Sequence, residues 1–174
     1  MSEIRTLYDA VRRRRALEIK NEVSKNLSEV EKLQSTELKS YIDFTRSEAF
    51  TKPNRVTAKE LKDDPEHQSH LFVQFEDPSE FYLAFTYNIS KGGIFLKTGT
   101  AMPLGLMVLL TIRIEALNVE WTVPGKIIWV SNFFTSATPA GMRVKFVRLS
   151  KKESEILEDF VSGDLDPGDL KTLG

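Results

Sequence analysis

The 174-residue chain contains no cysteine, which excludes disulfides, thiolate-held zinc and a thiol nucleophile. Histidine is almost as scarce. His67 and His70 are the only two, too few for a multi-histidine metal site and a poor basis for a Ser-His-Asp triad. No apolar run approaches the ~18 residues of a membrane span, and the N-terminus lacks a signal-like apolar core, so the expected location is the cytoplasm. No catalytic constellation emerges, and an enzyme is not expected. Charge of one sign is not in excess either: the net charge is -1, with 41% hydrophobic and 28% charged residues. That balance belongs to a globular protein of one well-buried domain plus an appendage.

Glycine and proline are absent from Glu3 to Phe50. Good helix formers dominate there, and Ile4, Leu7 and Val11, then Val23, Leu27 and Val30, then Leu38 and Ile42 trace an irregular helical stripe. The pattern predicts two helices, or one with a weak point near Asn21–Ser28, ended by Pro53. The stripe is too broken for a sustained coiled coil. It suits packing on the chain's own domain or on a second copy, so a homo-oligomer through these helices stands open.

Charge divides along the chain. Residues 1–62 carry 14 Lys/Arg against 10 Asp/Glu, and residues 63–174 carry 10 against 15. The run Arg12, Arg13, Arg14, Arg15 suggests phosphate or anionic-lipid binding. However, four consecutive helical residues wrap more than a full turn, and Asp9, Glu18 and Glu22 stand at pairing distances. A solvated basic helix is the plainer reading. Nucleic acid is not an expected partner, because aromatic and basic residues do not interleave.

After His70 the texture turns to period two. "HLFVQFE" places Leu71, Val73 and Phe75 on one face, and "EFYLAFTY" places Phe81, Leu83 and Phe85 on one side after the turn Asp77-Pro78-Ser79. "GIFLKT", "LMVLLTIRIE", "VEWTVPGKIIWV" and "AGMRVKFV" complete six strand-like runs. Short turns join them, which predicts an antiparallel barrel or sandwich without βαβ units. Pro124 and Gly125 inside one run predict a bulge or bend. Ser150 and Glu153 match a capping box ahead of Ile156, Leu157, Phe160 and Val161, so a terminal helix should plug one end. "DLDPGDLKTLG" reads as a polar, mobile tail.

Asn88, Ser90 and Gly93 fit the spacing Asp/Asn-x-Ser-x-x-Gly between the second and third strand-like runs. With "GKIIWV", "AGMRVKF" and the terminal helix in order behind it, the succession resembles the PilZ domain, the bacterial cyclic di-GMP receptor module. The resemblance covers about residues 70–162. It implies a mainly β fold: a six-stranded antiparallel barrel with a C-terminal helix, preceded by a helical extension. The division is then 1–62 for the extension, 63–69 for a linker, 70–162 for the barrel and its helix, and 163–174 for the tail.

By the same resemblance Asn88 would hydrogen-bond the nucleotide, Ser90 would fix the loop or touch the ligand, and Gly93 would allow close approach. Asn, Ser and Gly-Gly also suffice to build a hairpin turn, and that reading stands beside the first. The family's Arg-x-x-x-Arg motif is missing at its place, where Glu66 and His70 stand instead. Losing two charge-assisted contacts of roughly 1.5–3 kcal/mol each costs on the order of a hundred- to ten-thousandfold in affinity. Arg12–Arg15 or Arg55 would have to replace them.

The expectation is therefore a signalling adaptor acting through a protein partner, for motility, secretion or a related process, with weak or no binding of cyclic di-GMP. The alternatives are a true receptor drawing arginines from the N-terminal helices, and a structural oligomerisation module. No cofactor beyond cyclic di-GMP as a regulatory ligand is implied, and no metal. The acidic run Asp63, Asp64, Glu66 with His67 reads as a solvated linker. Trp121 and Trp129 read as core or barrel-surface contacts. Phe133 and Phe134, in an apparent loop, either tuck under the barrel or form a partner-binding spot.

Overall fold

In a computed structural model of the chain, residues 6–48, 53–86, 92–133, 135 and 139–174 are described. Two helices lead: α1 (Leu7–Ser24) and α2 (Glu29–Glu48). Thr6 and Asp9 form a reciprocal capping box that starts α1, and Lys25 in the left-handed region ends it. Ser28 and Glu31 then exchange hydrogen bonds that start α2. The break thus falls at residues 25–28, inside the expected weak point. Lys20 pairs with Glu31 across the hairpin.

The sheet contains β1 (Arg55–Glu60), β2 (Ser69–Phe75), β3 (Gly93–Lys97), β4 (Met107–Ile114), β5 (Val119–Ser131) and β6 (Gly141–Phe146), in spatial order β1-β2-β4-β5-β6-β3. Two other helices pack with it, α3 (Pro78–Thr86) and α4 (Lys151–Ser162). Five of the six expected strands are present. The antiparallel barrel is corrected in two respects. First, β2 and β4 run parallel, because a helix and an edge strand intervene and return the chain in the same direction. Second, among the described residues no strand ladder closes the sheet. Among the described residues its edges are joined where Asn54 donates to the Lys97 carbonyl (2.9 Å) and accepts from the Lys97 N–H (2.8 Å).

"EFYLAFTY" is the second correction: its residues 80–86 belong to α3, not to a strand. Asp77 Oδ1 accepts from the N–H groups of Ser79 and Glu80 (2.7 and 3.1 Å), Pro78 opens the helix, and Glu80 reaches back to the Glu76 N–H. Phe81, Tyr82, Ala84 and Phe85 are buried, the face of a helix rather than of a strand. The third concerns residues 55–60, expected in the helical extension. They form β1, which pairs with β2 from Arg55↔Gln74 to Glu60↔Ser69. The proposed 63–69 linker is therefore the loop of a hairpin up to residue 68, and Ser69 opens β2. The irregularity of β5 falls between Ile127 and Trp129, just beyond Pro124-Gly125.

Leu71, Val73 and Phe75 share the buried face of β2 as expected. The capping box of Ser150 and Glu153 is present, and Leu157 and Phe160 of α4 are buried. The last residues are not a mobile tail. Asp166 caps a 3-10 turn that begins at Pro167, and Leu170 and Leu173 enter the core, 0% and 7% exposed. Their i, i+3 spacing is the one that eclipses on such a turn.

The first turns of α1 complete the core. Tyr8 is 1% exposed, stacks on Phe160 at 4.4 Å and donates from its hydroxyl to the Phe160 carbonyl at 2.9 Å. Burial raises the Tyr8 phenol well above its ordinary pKa, despite Arg12 nearby. Gly163 (φ +83°) ends α4, and a Cβ there would come within 3.1 Å of Val11, so α1 lies close on that turn. Leu7, Tyr8 and Val11 therefore seat α1 against α3 and α4, α2 packs on α1 with Leu38 and Ile42 buried, and Val23 and Val30 at the hairpin's far end are 83% and 65% exposed.

Candidate functional site

The glycine turn lies at the N-terminal end of β3. Asn88 and Ser90 lie outside the described residues. Gly93 is described, and its Cβ would meet the Val144 carbonyl of β6 at 2.8 Å. The close approach it permits is that of β6, which pairs with β3 from Gly93↔Lys145 to Lys97↔Gly141. Before it, Gly92 accepts at its carbonyl from the Phe146 N–H (2.8 Å).

Beside Gly92 a groove of about 770 Å³ opens between α3, the end of β6, α4 and the end of α2. Phe85, Phe146, Leu149 and Leu157 make it apolar, while Lys145, Arg46, Thr86, Ser154 and Glu158 give it polar edges. A second cavity of about 310 Å³ continues from it past Arg46, Tyr82, Val161 and Ser162 towards Arg14, Arg15 and Glu18. Arg46 stands between the two. Its Nη2 donates to the Tyr82 hydroxyl (2.8 Å), and its guanidinium carbon lies 5.5 Å from that ring's centre. This groove could take a flat or apolar group flanked by an anion.

Arg46 did not emerge from the sequence as a site residue. The signal was there: it follows Leu38 and Ile42 at i+8 and i+4, so it shares their buried face.

The arginines that did emerge are turned to carboxylates. Arg12 pairs with Asp166 (3.3 Å), Arg14 with Glu18 (3.0 Å), and Arg15 with Asp164 (3.1 Å) and more loosely with Glu22 (3.9 Å). Asp9, expected as another partner, is used by the α1 cap. Arg13 is also engaged. Arg55, at the sheet edge, pairs with Glu76 (2.9 Å). None of Arg12, Arg13 and Arg55 lines the groove beside Gly92. Arg14 and Arg15 line only its continuation.

The positions that match the missing arginine motif are occupied otherwise. Glu66 pairs with Arg148 (3.2 Å). His70 Nε2 shares a hydrogen bond with Thr111 Oγ1 (2.8 Å) and its ring stacks on Phe72. Burial, with Lys59 adding to it, lowers the His70 pKa. The acidic run is an ordered loop. Asp64 accepts from the backbone N–H groups of Glu66 and His67 and from the His67 ring, and those bonds hold its carboxyl below the usual range. Among the described residues no group of three or more His, Asp or Glu side chains gathers as a metal set.

Trp121 is buried and its Nε1–H donates to Glu153 Oε1 (2.8 Å), fastening α4 to the sheet. Trp129 packs against Phe95 and carries the Arg143 guanidinium over its ring at 4.9 Å. Phe133 does not tuck under: it is 78% exposed. Phe134 lies outside the described residues. No helix among the described residues is long and apolar enough to cross a membrane.

Comparison with curated protein sequences gives no significant match. The family model described as PilZ domain matches residues 61–163, more than half of the chain. That span takes in β2 to β6, α3 and α4 and the lining of the groove beside Gly92 except Arg46 of α2, and the family is one of cyclic di-GMP-linked receptors and adaptors rather than a known enzyme family. The order of strands, glycine turn and capped terminal helix agrees with that match, and the chain belongs to the PilZ domain family.

Proposed function

We propose that the chain is a cytoplasmic adaptor in cyclic di-GMP-linked signalling that works by protein contact and has little or no direct affinity for the nucleotide. One observation carries this reading: four of the arginines that the sequence offers for a phosphate clamp are paired with the chain's own carboxylates. Arg12, Arg14, Arg15 and Arg55 face Asp166, Glu18, Asp164 and Glu76. The two motif positions hold Glu66, a negative side chain, and His70, whose burial disfavours the cation. Two missing charge-assisted contacts weaken binding by about 3–6 kcal/mol, or on the order of a hundred- to ten-thousandfold.

The test is calorimetric titration of the full chain with cyclic di-GMP at physiological salt, with GTP as control. The expected result is no heat and an unchanged melting temperature at ligand concentrations of about 100 µM, where a Kd in the low micromolar range would saturate the protein. Low-micromolar binding would refute the reading. Its loss in Arg46→Ala and Lys145→Ala would then assign the ligand to the groove beside Gly92, and the chain would be a receptor.

A further inference from the structure

One face of α2 is apolar, exposed and separate from the face that packs on the domain. Val30, Leu33, Tyr41 and Phe44 are 65%, 60%, 42% and 65% exposed, with the exposed Glu37 among them. At 100° per residue these five positions fall within a strip about 80° wide and about 21 Å long. The residues that dock α2, Leu38 and Ile42, are both 4% exposed and lie roughly 100–140° round the helix from Glu37. The strip therefore stays accessible when the hairpin is seated on the sheet domain. Its apolar residues fall in two pairs, Val30 with Leu33 and Tyr41 with Phe44, on either side of Glu37, unlike the single exposed hydrophobics of ordinary surfaces.

Its spacing says what covers it. Counted from Glu37, the apolar residues stand at -7, -4, +4 and +7, a pattern that reads the same in both directions. A two-fold axis through Glu37 brings a second, antiparallel α2 into register, with Val30 on Phe44 of the other copy and Leu33 on Tyr41. Each small side chain then meets a large one. A parallel pair would instead set Phe44 against itself and Val30 against itself, and the helices would splay. The antiparallel arrangement also opposes the helix dipoles.

We propose that α2 is a self-association surface, and that two copies of the chain pair antiparallel through Val30, Leu33, Tyr41 and Phe44 about Glu37. This goes beyond the adaptor reading and does not depend on nucleotide binding. Facing carboxylates at the axis set the register and weaken the pair, as buried polar positions do in coiled coils. A contact of four helical turns lies at the small end of specific interfaces. The dimer is accordingly reversible, with a Kd on the order of 10–100 µM.

Sedimentation velocity on the full chain from about 5 to 500 µM tests this, because the range brackets that Kd. The expected result is a monomer that becomes a dimer with concentration. Glu37→Leu, which removes the facing charges, should tighten it about tenfold or more, a gain that a folding defect cannot imitate. The absence of native cysteine permits a test of direction. Val30→Cys mixed with Phe44→Cys should give a disulfide-linked pair on mild oxidation, and Val30→Cys alone should not. A monomer at every concentration in both wild type and Glu37→Leu would overturn the proposal and leave the strip to another protein. Efficient cross-linking of Val30→Cys to itself would also overturn it, in favour of parallel helices.

Discussion

Tyr8→Ala is the perturbation that most directly probes how the helical hairpin is held. Tyr8 fills a pocket between Phe160 and Tyr82, with ring centres 4.4 and 5.7 Å away, and its hydroxyl donates to the Phe160 carbonyl at 2.9 Å. Removing a buried aromatic ring costs about 3–5 kcal/mol, and the hydrogen bond contributes about 1 kcal/mol more. The sum of about 4–6 kcal/mol is a large share of the 5–15 kcal/mol typical of a folded domain. In a chain of this size it corresponds to a melting temperature lower by roughly 10–20 °C. Tyr8→Phe keeps the ring and should lose only about 2–4 °C. Thermal melts followed by circular dichroism, checked by urea titration, measure both. If Tyr8→Ala melts within about 2 °C of wild type, α1 is not seated on α4, and the account of the hairpin as part of the core fails.

Two further outcomes concern ionisable groups. Burial works against the Glu153 charge, yet the Ser150 hydroxyl, the Ser150 N–H and Trp121 Nε1–H outweigh it and leave this carboxyl below its ordinary pKa. A depressed carboxyl stabilises the fold above its unfolded pKa, so Glu153→Gln should cost about 1 kcal/mol at pH 7 and next to nothing once the pH has fallen well below 4. His70 is shifted down by burial and then by Lys59. A depressed imidazole favours the folded state while neutral, so its contribution is complete above about pH 6.5 and is lost as pH falls through the folded pKa. Urea titrations at pH 7.5 and 5 should therefore show a smaller acid loss in His70→Gln than in wild type; an identical loss would clear His70 of that role.

The sequence carried the helices, five strands and the terminal cap because each rests on a local pattern. Three elements escaped for identifiable reasons. In "EFYLAFTY" nearly every residue is apolar, so periods of 2 and 3.6 fit equally well. The deciding signal lay upstream, where Asp77, Pro78 and Glu80 spell a helix start that also passes for a hairpin turn. Strand β1 has no buried face at all, only a half-buried Val56, and exists through its ladder with β2. No hydrophobic pattern could reveal an edge strand of that kind. In the C-terminal segment the polar residues hid Leu170 and Leu173, whose burial depends on a pocket built by distant elements. At the site, the glycine turn was legible as a motif, but Arg46 and Lys145 reach the groove through the docking of α2 and the end of β6, which composition does not encode.

The seating of α1 also bears on whether the N-terminal arginines could ever serve the glycine turn. The ion pairs that hold Arg12 and Arg15 are partly exposed and individually weak. They would not by themselves stop those side chains from swinging away. What fixes α1 is the socket of Tyr8 and the close contact of Val11 with the Gly163 turn. A movement that carried Arg12 or Arg13 to the groove beside Gly92 would have to empty that socket, at the cost of about 4–6 kcal/mol worked out above. A nucleotide would then have to recover on the order of a thousand- to ten-thousandfold in affinity before any net binding appeared. Arg46 needs no such movement, because it already lines the groove. The charge of Arg46 is thus placed by the folded core rather than by a mobile arm, and among the described residues the cations lining this groove are Arg46 and Lys145.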